Sequence, residues 1–375
     1  MNRAPAPPDA SAPSPAGAKR PKTQLLPLIL SSVVFGILGY WAGQHLATLP
    51  GGRRPSLLVI PGFLFSWFFA TAVHEAGHLL GGMTQGLRPL LYMVGPLRLT
   101  WVGGSVRAGF NRNAGLWGGL AAALPSDYER IAERMQWMIA GGPLASVALA
   151  FLAGFAAWAL DGEAQLFAQM TALVSGGIGF FTMVPSTMGG FSSDGAQWLE
   201  YRRGGEEAER RALVLGIVGA SMAGRRPREL DRTAIERALA LPADPVGRLS
   251  VVTIAACAAV DRGEDGRELF AEMASSFRAY PAAFRQSLAL WLAWHSIVSF
   301  GDVETAKAWL ALAKGGIVDP ELRDLVDAVI ARAEGREDAC RAAIARGLSR
   351  GPGLDPGGSI LVRDLLRKLG DTPRA

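Results

Sequence analysis

The segment TAVHEAGHLLGG, residues 71–82, places His74, Glu75 and His78 in the order H-E-x-x-H. Residues four apart on a helix share one face, so the imidazoles of His74 and His78 can reach a single Zn2+. Glu75, between them, can then act as general base toward a water at the metal. The surrounding residues are apolar: after Arg54 the only charged residue before Arg88 is Glu75. A charged group in such a stretch costs a few kcal/mol if it crosses a membrane, and such residues are by default partnered and functional. A divalent metal supplies the partner. His45 and His295 stand alone in apolar surroundings and read as satisfied core histidines.

Two histidines do not complete a catalytic zinc shell, which takes a third protein ligand. Asp194, in GGFSSDGAQW, is the expected donor. It follows PSTMGGFSSD, residues 185–194, whose Pro185, Gly189 and Gly190 favour a broken helix able to return a carboxylate toward the metal. Four apolar spans are expected, at residues 24–48, 56–83, 135–160 and 164–185. The second and fourth run in the same direction and carry their polar motifs toward their C-terminal ends. The two motifs therefore fall on the same side of the membrane whichever way the chain is inserted. His45 lies toward the opposite end of the first span.

The elements that must hold these groups are those of a membrane protein. The 375 residues are 50% hydrophobic and only 19% charged, with ten Trp and a mean hydropathy of +0.21. Each expected span exceeds the ~20 residues needed to cross a bilayer as a helix. Two cysteines cannot build a disulfide framework or a cysteine-ligated zinc cluster; a single bridge between Cys257 and Cys340 is conceivable but unsupported. The net charge of +5 is read as cytoplasmic loops facing anionic headgroups, with no nucleic-acid partner. Residues 1–23, rich in Pro, Ala and Ser and carrying Arg3, Lys19, Arg20 and Lys22, read as a flexible basic tail. The positive-inside rule puts this tail and everything beyond residue 200 in the cytoplasm.

Between the second and third spans, residues 87–110 read as a short β-hairpin against the membrane, with turns at Gly95-Pro96 and Gly103-Gly104. GLWGGLAAAL, residues 115–124, is apolar but too short to span, which makes it a candidate re-entrant segment. Residues 87–124 together are a candidate gate. In the third span AGGPLAS, residues 140–146, offers small residues for close helix packing or, alternatively, for contact with substrate.

HEAGH in an apolar helix, AGGPLAS in the next, and a Pro-containing segment ending in Asp194-Gly195 resemble the site-2 protease family of intramembrane zinc metalloproteases, over roughly residues 55–200. The resemblance implies zinc bound by His74, His78 and Asp194, water activated by Glu75, and a membrane-associated β element after the H-E-x-x-H helix. The sequence departs from the family pattern at Ser146, where Asn is common, and at Ser193, where Leu is commoner.

Beyond Tyr201 charges recur to the end, and apolar residues return at helical spacing. Turns at Gly263, Gly301 and Gly335 are spaced near the period of helix-pair repeats. Residues 206–375 therefore resemble a tetratricopeptide-like array that binds a protein partner, a plain helical bundle being the alternative. The expected fold is an all-α polytopic membrane protein of about four transmembrane helices with a short β-hairpin, followed by a soluble helical domain. The expected activity is cleavage of a transmembrane protein substrate within the lipid bilayer, in a bacterial cytoplasmic membrane. The rival expectation is a non-proteolytic membrane adaptor that binds partners through its helical domain.

Overall fold

The computed structural model describes residues 3–8, 59–102, 104–111, 117–188, 191–243, 245–280, 285–313, 320–351 and 355–371. The chain forms two compact units. One comprises residues 18–124 and 130–204; the other comprises residues 1–17, 125–129 and 205–375.

In the first unit, α1 (Val59–Thr84), α2 (Ile131–Ala159) and α3 (Gly162–Met183) pack on one another. Glycine lets α1 and α2 touch backbone to backbone. A Cβ on Gly77 would lie 2.3 Å from the carbonyl oxygen of Gly141, and one on Gly141 would lie 2.2 Å from that of Gly77. Gly141 of AGGPLAS thus serves close helix packing. The outward faces carry large apolar side chains, including Phe65, Leu80, Phe151, Phe155 and Trp158, the last 81% exposed. A surface of this kind suits lipid.

Among the described residues two helices, α2 and α3, are long and apolar enough to cross a membrane, not four. The expected first span, residues 24–48, and His45 lie outside the described residues. The expected second span is present as the 26-residue helix α1. It is not one of the two among the described residues.

The expected hairpin is a larger sheet. Strands β1 (Arg88–Val94), β2 (Leu97–Val102), β3 (Ser105–Phe110) and β4 (Leu120–Leu124) form an antiparallel sheet in the order β3-β2-β1-β4. The turns fall where glycine was expected to make them, at Gly95 (φ 53°) and Gly104 (φ 79°). What was expected as a re-entrant segment is, over Leu120–Leu124, an outer strand paired with β1 in the register Arg88↔Leu124 and Tyr92↔Ala121. Five residues satisfy their backbone groups by joining a sheet that is already there, which a lone apolar segment in lipid cannot do. The sheet lies against α1: the Tyr92 hydroxyl donates to the carbonyl of Ala72 at 3.0 Å.

After α3 comes a two-stranded hairpin, β5 (Thr187–Met188) and β6 (Phe191–Ser192), and then α4 (Asp194–Arg203).

The second unit holds α5 (Glu206–Met222), α6 (Arg232–Ala240), α7 (Pro245–Arg262), α8 (Arg267–Ser276), α9 (Arg285–Phe300), α10 (Val303–Leu312), α11 (Pro320–Ala333), α12 (Glu337–Ser349) and α13 (Pro356–Asp371). The three turns singled out in the sequence separate α7 from α8, α9 from α10 and α11 from α12. Each has its glycine in the left-handed region, Gly263 at φ 73°, Gly301 at φ 65° and Gly335 at φ 72°. A continuous core of Phe270, Leu288, Leu292, Trp309, Leu325 and Leu366 runs through these pairs. Cys257 and Cys340 are both free thiols. His295 is a core histidine, buried with its ring stacked on Phe270 at 3.9 Å, but it is satisfied only in part: Nδ1 meets Ser299 Oγ at 3.0 Å while Nε2 has no hydrogen-bond partner among the described residues. Within the stretch expected to be a flexible basic tail, residues 3–8 pack on this unit, and the indole of Trp309 donates to the carbonyl of Pro5 at 2.8 Å.

Candidate metal centre

His74 and His78 sit one turn apart on α1, and both are buried, at 4% and 8% exposure. Their rings meet at 89°, with centroids 4.7 Å apart, so both Nε2 atoms face one point. The two Nε2 atoms are 3.2 Å apart. The carboxylate of Asp194 closes the triangle. Its Oδ2 lies 3.2 Å from His74 Nε2 and its Oδ1 lies 3.5 Å from His78 Nε2. Ligand bonds of ~2.1 Å in a tetrahedral shell place donor atoms about 3.4 Å apart; the imidazole pair and each imidazole–carboxylate contact lie close to that spacing, the two contacts being made by different oxygens of Asp194. His74, His78 and Asp194 form a group that could hold a metal ion.

The partners of the other ring nitrogens support the same reading. His78 Nδ1 lies 3.0 Å from the carbonyl of Met138. A carbonyl only accepts, so Nδ1 carries the hydrogen and a neutral ring leaves its lone pair on Nε2. His74 Nδ1 lies 2.9 Å from Ser146 Oγ. Ser146 is fully buried, and Ser175 Oγ donates to its backbone carbonyl at 2.8 Å. With both rings holding their hydrogen on Nδ1, two imidazole lone pairs and a carboxylate would converge, an arrangement that a cation stabilises.

Space for this arrangement comes from glycines. A Cβ on Gly142 would lie 2.3 Å from His78 Nε2, so only glycine lets α2 pass the ring. A Cβ on Gly195 would lie 1.9 Å from the carbonyl oxygen of Met183, so the start of α4 is held against the end of α3. Ser193 fixes the turn between them. Its hydroxyl donates to the carbonyl of Val184 at 2.8 Å and accepts from the backbone N–H of Ser186 at 3.0 Å and of Ala196 at 3.3 Å. It thereby caps α4, leaving Asp194 in the first turn, where the helix dipole favours a negative charge. The broken-helix expectation is met by a hairpin and a capped helix start.

Glu75 is 8% exposed and lies beside this cluster. It accepts a hydrogen bond from the backbone N–H of Ala121 on β4. Gly119, at φ 106°, passes so close that a Cβ there would lie 2.3 Å from Glu75 Oε1. The outer strand of the sheet therefore covers the carboxylate.

All four site residues expected from the sequence come together. The positioning roles of Ser146 and Ser193 and the backbone contacts of Met138 and Ala121 are not legible in the sequence. The only signal was that both serines stand where the resembled family has other residues. No family model, no curated protein and no solved structure matches this chain.

Proposed function

We propose that this protein is an intramembrane zinc metalloendopeptidase, resembling the site-2 proteases, that hydrolyses a peptide bond in or beside the membrane segment of a protein substrate. The observation that carries the reading is the convergence of His74, His78 and Asp194 at donor spacings of 3.2, 3.2 and 3.5 Å, with Glu75 adjacent. Zinc is the ion of choice for two imidazoles and one carboxylate in an open tetrahedral shell. When bound, it polarises the scissile carbonyl and makes a water acidic enough to lose a proton near neutral pH.

The rest is the work of the chain's own groups. Glu75 takes the proton from the attacking water and returns it to the leaving amine, a transfer that needs a carboxylate held in place and shielded from bulk solvent. Ala121 N–H and the close passage of Gly119 hold it. Ser146 and the Met138 carbonyl orient the two imidazoles. An intact transmembrane helix hides its carbonyls, so the substrate must unwind before cleavage. The outer strand β4, next to Glu75, offers an edge against which an extended segment can pair.

We place both ends in the cytoplasm, on the positive-inside rule. A membrane adaptor that only recruits partners is the competing account. Glu75→Gln separates the two, because it keeps the shape and removes the base. Membrane proteomes of cells carrying wild-type protein or this variant should differ by a truncated membrane protein present only with the wild type, while the purified variant still binds zinc. The same cleavage products from Glu75→Gln would refute the mechanism.

A further inference from the structure

Trp309 is fully buried, yet its indole N–H is satisfied by a residue more than three hundred positions away in sequence, the carbonyl of Pro5 at 2.8 Å. The segment that supplies it reads RAPAPP, residues 3–8. Pro5, Pro7 and Pro8 have φ fixed near −65°, and Ala4 and Ala6 each precede a proline, which pushes them to extended conformations. The segment is therefore preformed as a polyproline helix, with three residues per turn and no internal hydrogen bonds.

Its burial follows that period. Arg3 and Ala6 are exposed, Ala4 is buried, and Pro5, Pro7 and Pro8 are half-buried. Two dipeptides, Ala4-Pro5 and Pro7-Pro8, face the helical unit while every third residue faces water. Polyproline ligands seat in aromatic-lined grooves in this way, because their carbonyls are free to accept from an indole N–H and little ordering entropy is lost. Phe277 packs edge-on against this indole, with ring centroids 5.1 Å apart. Asp302, which caps α10, is held below its usual carboxylate range by hydrogen bonds from the backbone N–H and hydroxyl of Thr305, and the charge of Arg3 adds to the effect. A basic residue ahead of the first dipeptide is thus matched by an acid on the groove.

We propose that the helical domain is a receptor for extended proline-rich peptides of the pattern Arg-Ala-Pro-x-Pro-Pro, and that residues 3–8 of this chain are its resident ligand, bound in cis. A partner protein displaying the same pattern binds by displacing the tail. The inference does not depend on the metal centre or on proteolysis.

The test uses the full-length protein in detergent and a fluorescein-labelled peptide, MNRAPAPPDASA, followed by fluorescence anisotropy. Ala4→Glu in the protein unseats the tail without altering the groove, because a buried alanine site has no room for glutamate. The peptide should bind the Ala4→Glu protein and bind wild-type protein about tenfold or more weakly, since a tethered ligand competes at an effective concentration near the millimolar range. Peptides with Ala4→Glu, or with the three prolines replaced by glycine, should bind the Ala4→Glu protein about tenfold or more weakly than the native peptide. Trp309→Phe, added to the Ala4→Glu protein, removes the donor and keeps a ring; it should also weaken binding. The peptide comparisons stand even if that variant misfolds. Equal binding to wild-type and Ala4→Glu protein, no binding to either, or indifference to the loss of the prolines would each overturn the proposal.

Discussion

Gly142→Ala adds one carbon where there is no room for it. The new Cβ would lie 2.3 Å from His78 Nε2, 2.5 Å from Cε1 and 2.8 Å from Cδ2, whereas ordinary contact begins at 3.4 Å. The ring edge would have to retreat by about 1.1 Å, the difference between 3.4 and 2.3 Å. It cannot do so freely, because Nδ1 is tied to the carbonyl of Met138 at 3.0 Å, one turn earlier on the same helix as the new methyl group. A functional metal site tolerates errors of only about 0.2 Å in its ligand bonds, so this displacement takes His78 out of the shell. Loss of an orienting partner alone costs about 10–100-fold in metal affinity. Loss of the ligand itself should reach at least the upper end, ~100-fold weaker binding.

Gly154→Ala on the same helix is the control, since a Cβ there meets nothing within 4 Å. Alanine is favoured over glycine in a helix by about 1 kcal/mol, so both variants should hold their helices at least as well as the wild type. The assay is zinc content and chelator-competition affinity of purified protein in detergent, beside circular dichroism. Wild-type zinc affinity in Gly142→Ala would refute the proposed position of His78. So would an equal loss in Gly154→Ala, which would point to general disruption of the helix.

Ser146→Ala should weaken zinc binding by about 10–100-fold while leaving the ligand set intact, because only the hold on His74 Nδ1 is removed; unchanged affinity in the same chelator assay would show that Ser146 does not position the ring. Gly195→Ala should misplace Asp194 through the clash with Met183 and lower the bound zinc, and full zinc occupancy would contradict the close approach of α3 and α4. In the helical domain, burial lowers the pKa of His295 from 6.5 to about 4. Between those values the unfolded chain takes up a proton that the folded chain refuses, so stability falls as pH drops from 6.5 toward 4, by up to about 3 kcal/mol, and is unaffected by this group above 6.5. Across that range the urea midpoint of wild type should fall relative to that of His295→Leu as the pH drops; parallel curves would mean that His295 does not resist protonation.

Local spacing was enough to find three of the four site residues. The i, i+4 histidines with Glu75 between them declare a face of one helix, and a helix needs nothing beyond itself to present it. The apolar runs of α2 and α3 were legible for the same reason, since length and composition alone decide whether a helix can cross a bilayer. So were the glycine turns at Gly263, Gly301 and Gly335, where backbone conformation is a property of the residue. Asp194 was reachable only by reasoning about which end of a span it occupies.

Contacts between distant segments stayed hidden. Whether residues 120–124 enter the membrane or join a sheet depends on β1 being beside them. Ser146 gains its role from His74, 72 positions away, and Ser193 gains its own from a turn that brings Val184 back to it. Gly142 looks like any small packing residue until the ring of His78 is found against it. Pro5 belongs to a polar tail by composition, and only the folded domain supplies the indole that receives it. A sequence states what each segment can do by itself, whereas hydrogen-bond partners and steric limits are properties of pairs, which exist once the fold has brought both members together.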